Sequence, residues 1–247
     1  MSKRKVLIKK KNMKKLLLFF ILGLVSITFL SCTKGKKSIT IKESEYSVRK
    51  GTEKFSINGK DIYMPVFQEY TDYYSNEDIQ NICDNTVGAV GNKVEAIYYN
   101  NRDTAMINRS LNSGDAFFVD DYFIVCYTEG FNKIENKISD FSTIIKGTKS
   151  YISIDENWEI LLSKAETYGV VWESTIAIDE YRIAENAHTF VFLASQENQL
   201  TISYYNLILI NGRVVNVYYY FTYADKNSVE ISKANNLNIV KSILKEN

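Results

Sequence analysis

Hydrophobic positions along the chain follow three regimes. From Leu16 to Leu30 they form one uncharged run, from Thr33 to Lys50 no period is sustained, and beyond about Lys54 short apolar segments alternate with turn residues. In "FSINGKDIYMPVF" apolar residues flank Asn58-Gly59, the pair that a two-residue type I′ hairpin requires because both positions take positive φ. Residues 76 to 87 read as a short helix, and 94 to 99 and 121 to 129 as strands. Ser139 is placed to cap a helix carrying Phe141, Ile144 and Ile145. A further helix presents Trp158, Leu161, Leu162, Ala165 and Tyr168 on one face and stops at Gly169.

The C-terminal third is the most regular. "HTFVFLAS" predicts a strand, and "TISYYNLILINGRVVNVYYYFTY" a long hairpin turning at Asn211-Gly212. Its arms are apolar at consecutive positions near the turn, which places them centrally in a sheet covered on both faces. The last segment predicts a helix with Asn227 and Glu230 as a capping pair. Its expected buried side is Ile231, Ala234, Leu237, Val240 and Leu244. Hairpins imply antiparallel pairing, so the expected class is α+β: a mainly antiparallel sheet flanked by helices, in a single domain over residues 51–247. That order of elements resembles the PsbP-like α/β/α sandwich, a family of small envelope and thylakoid proteins; the resemblance implies a domain without catalysis.

The first residues carry an address. Eight cations (Lys3, Arg4, Lys5, Lys9, Lys10, Lys11, Lys14 and Lys15) precede the uncharged run without an acid among them. The run is shorter than the roughly 20 apolar residues of a spanning helix, and a basic segment, an apolar segment and a small residue in that order describe a secretory signal. Ser31 is the small residue, and Cys32 follows it. "FLSC" (Phe29 to Cys32) resembles the lipobox of bacterial lipoproteins, although Phe29 and Leu30 stand where the usual pattern has leucine and a small residue. The resemblance implies that Cys32 is lipidated and becomes the mature N-terminus. Residues 1–31 would then be the signal peptide and residues 32–50 the lipidated cysteine and a flexible tether. The place would be the bacterial cell envelope, with the membrane as one partner. A signal peptide cut elsewhere and an uncleaved N-terminal anchor are the alternatives.

Removing the signal changes the charge. The full chain has 30 Lys and Arg against 29 Asp and Glu; without residues 1–31 it has 22 against 29, about −7. A domain of that sign is a poor match to nucleic acid or to an anionic lipid surface.

Candidate chemistry is thin. No nucleophile elbow is present, and the one histidine, His188, opens an apolar strand where a structural role outweighs that of a base. Zinc favours clusters of Cys and His, whereas beyond Cys32 the only such residues are Cys83, Cys126 and His188. Asp84 to Glu95 has the length of a calcium loop, but Ala89 occupies the sixth place, where glycine is needed. Asp120 and Asp121 are adjacent, and neighbours on a strand face opposite ways. No catalytic residue, metal site or cofactor is therefore expected. Cys83 and Cys126 form a possible disulfide in an oxidising compartment, with buried free thiols the alternative.

Tyrosines cluster at 70, 73 and 74, at 98 and 99, at 204 and 205, and from 218 to 220. Consecutive tyrosines on a strand divide between its faces, so part of each cluster belongs to a core. Two functions remain. The first is a non-catalytic, membrane-anchored lipoprotein domain that binds an envelope protein partner. The alternative is a ligand-capturing lipoprotein with an aromatic-lined pocket for a small apolar or glycan ligand.

Overall fold

The computed structural model describes residues 53–115, 117–155, 158–160, 175–196 and 199–247. The signal segment, Cys32 and the tether lie outside them, as does most of the helix expected from Trp158 to Gly169. The chain enters through β1 (Glu53–Ile57) and β2 (Lys60–Met64), which pair as a hairpin. Then follow β3 (Tyr70–Asp72), α1 (Glu77–Thr86), β4 (Asn92–Asn100), α2 (Thr104–Ser113), β5 (Asp121–Thr128) and α3 (Ile138–Lys149). The remainder is β6 (Thr175–Ala184), β7 (Ala187–Gln196), β8 (Gln199–Ile210), β9 (Arg213–Thr222) and α4 (Asn227–Glu246). The main sheet is antiparallel and seven-stranded, in the order β3-β4-β5-β9-β8-β7-β6. The protein is therefore of the expected α+β class.

Both hairpin turns have the predicted backbone. Asn58 and Gly59 take φ of 46° and 78°, and Asn211 and Gly212 take 49° and 74°. The β8–β9 hairpin is central, as its two-sided apolar runs require. Alternate residues of β5, β8 and β9 serve two cores. One core receives Phe123, Val125, Tyr204, Val217 and Tyr219 and is covered by Ile57 and Ile62 of the β1–β2 hairpin and by Ile239 and Ile243 of α4. The other receives Ile124, Cys126, Leu207, Val214 and Tyr218 and is covered by Ile79 of α1, Ile107 of α2 and Phe141 of α3. The result is three layers with the sheet in the middle.

Several local expectations are corrected. α3 is not capped by Ser139; its N-cap is Lys137, two residues earlier, and the Asp140 carboxylate accepts from the Lys137 N–H at 2.9 Å. α4 is capped by Asp225 and Ser228 rather than by Asn227 and Glu230: Asp225 Oδ1 accepts from the Ser228 N–H at 3.1 Å, and Ser228 Oγ accepts from the Ala224 N–H at 3.0 Å. The buried side of α4 is also rotated. Ser228, Ser232, Asn236, Ile239, Val240 and Ile243 face the sheet, while Ile231 and Ala234 are exposed. The sheet below the N-terminal half of α4 is polar there, and it selects polar partners (see below).

α2, β3 and β6 have no counterpart among the elements expected from the sequence. In β6 Ile176 and Ile178, and beyond the bulge between Ala177 and Asp179 also Tyr181 and Ile183, all pack on the core under α4. The bulge thus moves the apolar positions from even to odd numbers, and no period of two is sustained. The segment from Asp84 to Glu95 is the end of α1, a 3-10 turn at Gly88–Val90 and the start of β4, not a loop around an ion.

Replacing Gly212 with Val forces a β-branched residue to positive φ, and its Cβ would lie 2.4 Å from Glu135 Cγ. A loss of about 1–3 kcal/mol is expected, several degrees of melting temperature for a domain of this size. Thermal melting of the variant beside wild type checks it; an unchanged midpoint would mean that the turn is not the strained point described here.

Candidate functional site

The side chains with chemical potential are held at separate places in the two cores. Cys83 on α1 and Cys126 on β5 enter the same core. Both are fully buried free thiols in this structure, so the possible disulfide is not formed in it. Burial pushes the Cys83 thiol up to about 12, with Asp84 and Asp72 adding to the shift. Burial likewise raises Cys126 well above the ordinary thiol value. Protonated thiols of this kind are poor nucleophiles and poor metal ligands.

The tyrosine clusters divide between the cores as the strand period requires. Tyr98, Tyr204 and Tyr219 face one side of the sheet; Tyr99, Tyr205, Tyr218 and Tyr220 face the other. Their rings pack on each other. Tyr122 stacks on Tyr220 at 4.7 Å and Tyr205 on Tyr218 at 4.9 Å. The hydroxyl of Tyr220 is buried without a hydrogen bond, and burial raises its pKa well above the ordinary phenol value.

Asp121, the first residue of β5, is buried, whereas Asp120, which precedes the strand, is exposed, so the two carboxyls lie in different surroundings. Tyr70 Oη donates to Asp121 Oδ1 at 2.9 Å, and Asn100 Nδ2 to Oδ2 at 2.9 Å. Burial raises the Asp121 pKa, and the hydrogen bonds from Tyr70 and Tyr219 oppose that shift. The carboxyl thus ties β3 and β4 to the centre of the sheet.

His188 stands near the start of β7 with Nε2 3.6 Å from Glu180 Oε2 on β6. Lys149 of α3 is ion-paired to the same carboxylate, which offsets its pull on the imidazole. The ring lies 4.8 Å from that of Phe190. Burial first, then the charges of Lys149 and Arg182, hold the His188 pKa below the ordinary histidine value. Among the described residues no group of three or more His, Cys, Asp or Glu is placed to hold a metal ion.

Two polar assemblies were not found by sequence reasoning. The first lies under α4. Thr189 Oγ1 donates to Asn206 Oδ1 at 2.7 Å, and Asn206 Nδ2 to Asn236 Oδ1 at 2.8 Å. Asn236 Nδ2 reaches Tyr181 Oη at 3.2 Å, and the hydroxyls of Tyr204 and Ser232 lie 2.8 Å apart. Its signal was the polar stripe Ser228, Ser232 and Asn236 at helical spacing.

The second assembly binds the two hairpin turns together. Arg213 is buried and donates only to backbone carbonyls: Nε to Ile57 O at 3.1 Å, Nη1 to Ile134 O at 2.8 Å and Nη2 to Asn58 O at 3.2 Å. Asn132 clasps Val214, accepting from its N–H at 2.7 Å and donating to its carbonyl at 2.9 Å. Asn58 Nδ2 donates to Asn132 O at 2.6 Å, and the Asn136 N–H to Gly212 O at 2.8 Å. The planar guanidinium fork can serve three acceptors at once, as a lysine could not. An arginine directly after the Asn-Gly pair was the visible sign.

No protein-family profile matches the chain, and no curated protein does. Two solved structures are distantly similar: a point mutant of the protein Mog1 at 12% identity, and the Saccharomyces cerevisiae Ran-binding protein Mog1p at 11%. Each match covers 79% of this chain and 92% of the other, with a TM-score of 0.32.

Two outcomes follow from the buried groups. Native protein at pH 8 should leave Cys83 and Cys126 unreactive toward an aromatic disulfide reagent, and both should react on unfolding in denaturant; rapid native labelling would contradict their burial. For His188, the unfolded chain binds the proton at higher pH than the folded one. Its contribution to stability is therefore complete above about 6.5 and falls as pH drops through that value toward the lower folded pKa. The fall in melting temperature from pH 7.5 to 5.5 should be smaller in His188→Gln than in wild type, and an equal or larger fall in the variant would refute the assignment.

Proposed function

We propose that the protein is a lipid-anchored lipoprotein of the bacterial cell envelope whose single α+β domain is a non-catalytic module for binding a protein partner. The anchor reading rests on the eight N-terminal cations, the uncharged run and "FLSC" ending at Cys32. Between Cys32 and β1 lie residues 33 to 52. Their polar, charged composition without a sustained hydrophobic period supports reading residues 33 to 50 as a tether.

One observation carries the interaction reading: the thiols, phenols and buried carboxyl that would serve chemistry or a ligand are committed to internal packing and hydrogen bonds. Cys83 and Cys126 fill a core, Tyr122, Tyr205, Tyr218 and Tyr220 stack on one another, and Asp121 is held by Tyr70 and Asn100. The rings that an aromatic-lined ligand pocket would need are covered on both faces of the sheet, which favours a partner recognised by outer surface over a captured small molecule. The layer order, with a hairpin and α4 on one side and α1 to α3 on the other, supports a PsbP-like sandwich.

Cys32→Ala tests the anchor. The variant should leave the detergent phase in a two-phase separation and accumulate as a precursor of higher apparent mass. Membrane partitioning and maturation identical to wild type would rule out lipidation at Cys32.

A further inference from the structure

We infer that the loop from Glu129 to Lys137, at the turn end of the sheet, is the docking surface for a protein partner that presents an apolar socket rimmed by carboxylates. The inference rests on the reading of the protein as a tethered interaction domain and names the surface and the kind of partner.

The loop combines two properties that seldom occur together. Its backbone is fixed from within: Asn132 and Asn136 are buried, Asn132 is bonded to both polar groups of Val214, and the Ile134 carbonyl accepts from buried Arg213. Phe131 packs against the core shared by α1 to α3. Yet Ile134 itself is 69% exposed, and Ile138, one turn on, is 36% exposed. Isoleucine in water on a mobile tip needs no explanation. On a loop held by three elements it is an anchor whose ordering entropy has already been met by folding, the condition under which an apolar side chain contributes most to association.

The charges around it define the partner. Glu129 is paired with Lys93 at 2.7 Å, Glu135 with Lys60 at 3.5 Å, and Asp140 accepts from the Lys137 N–H. Lys133 and Lys137 flank Ile134 in sequence, are exposed, and form no ion pair within 4 Å among the described residues. On a mature chain of about −7, these two cations form a local positive rim around an apolar centre, which complements carboxylates around an apolar socket.

The attachment of the tether argues for a protein rather than the anchoring membrane. The chain enters at Glu53, paired with Met64 at the open end of the first hairpin, whereas Asn58 at its turn touches the loop. Five residues of strand separate the two ends by about 16 Å, so the loop lies at the end of the hairpin away from the point where the tether joins the domain.

A photo-crosslinking benzophenone amino acid, placed at position 134 of the full lipoprotein in the cells that make it, tests the inference, with the same group at position 231 on exposed α4 as the comparison. Position 134 should give a discrete protein adduct whose mass differs from that of two copies of this chain. The adduct should fall at least tenfold when Lys133→Glu and Lys137→Glu are combined in a variant with wild-type melting. An adduct of two copies, an adduct to lipid alone, or an adduct indifferent to the charge reversal would each overturn the inference. An adduct at 231 with none at 134 would overturn it while leaving the interaction function standing. No protein adduct at either position, nor from the same group scanned over the remaining exposed residues of α1 to α4, would sink both.

Discussion

The pairing of β5 with β9 is the contact on which the remainder of the fold depends. It runs from Asp121 opposite Phe221 to Cys126 opposite Asn216 and joins the N-terminal half of the sheet, β3-β4-β5, to the C-terminal half, β9-β8-β7-β6. Both strands are apolar on both faces, so neither half offers its layer a complete surface alone. Phe123 and Val125 meet Val217 and Tyr219 on one side; Ile124 and Cys126 meet Val214 and Tyr218 on the other. The hairpin, α4 and the three shorter helices each cover a surface that exists only when the two halves are side by side.

Within that frame the polar residues decide how the outer layers sit. Burying an amide or hydroxyl without a partner costs more than a made hydrogen bond returns. Asn206, Thr189 and Tyr204 therefore accept one rotation of α4, the one that brings Asn236 and Ser232 over them. Turning the helix by one residue would bring Ile231 inward and leave that group unbonded. At the other end of the sheet Arg213 plays the same part for the first hairpin, because its guanidinium reaches carbonyls of Ile57, Asn58 and Ile134 from one central strand. Hydrophobic area drives the layers together, and these hydrogen bonds fix their registers.

This division explains what could be read from the chain beforehand. The turns at Asn58-Gly59 and Asn211-Gly212 were legible because only a few residue pairs tolerate their backbone. The central position of β8 and β9 was legible because two buried faces abolish the alternation expected of an outer strand. β6 was hidden by its bulges, which break the phase of its alternation while Ile176, Ile178, Tyr181 and Ile183 keep to one core. The inward side of α4 was misread because an apolar count assumes an apolar floor, and the floor at Asn206 is polar. An arginine after Asn211-Gly212 was visible but its role was not, since the three backbone carbonyls that converge on it come from distant segments. Ile134 was equally silent: its meaning lies in the rigidity of its surroundings and not in its own type.

The separation of β5 and β9 along the chain has a consequence for how the protein is made. Val125 and Val217 are opposite each other yet 92 positions apart. A pairing so distant closes a long loop before it returns any contact energy, and topologies of this kind fold slowly. Until residue 222 is available, β5 presents an open, apolar edge of the type that recruits stray strands. The longer that interval lasts, the longer the unpaired edge is open to aggregation.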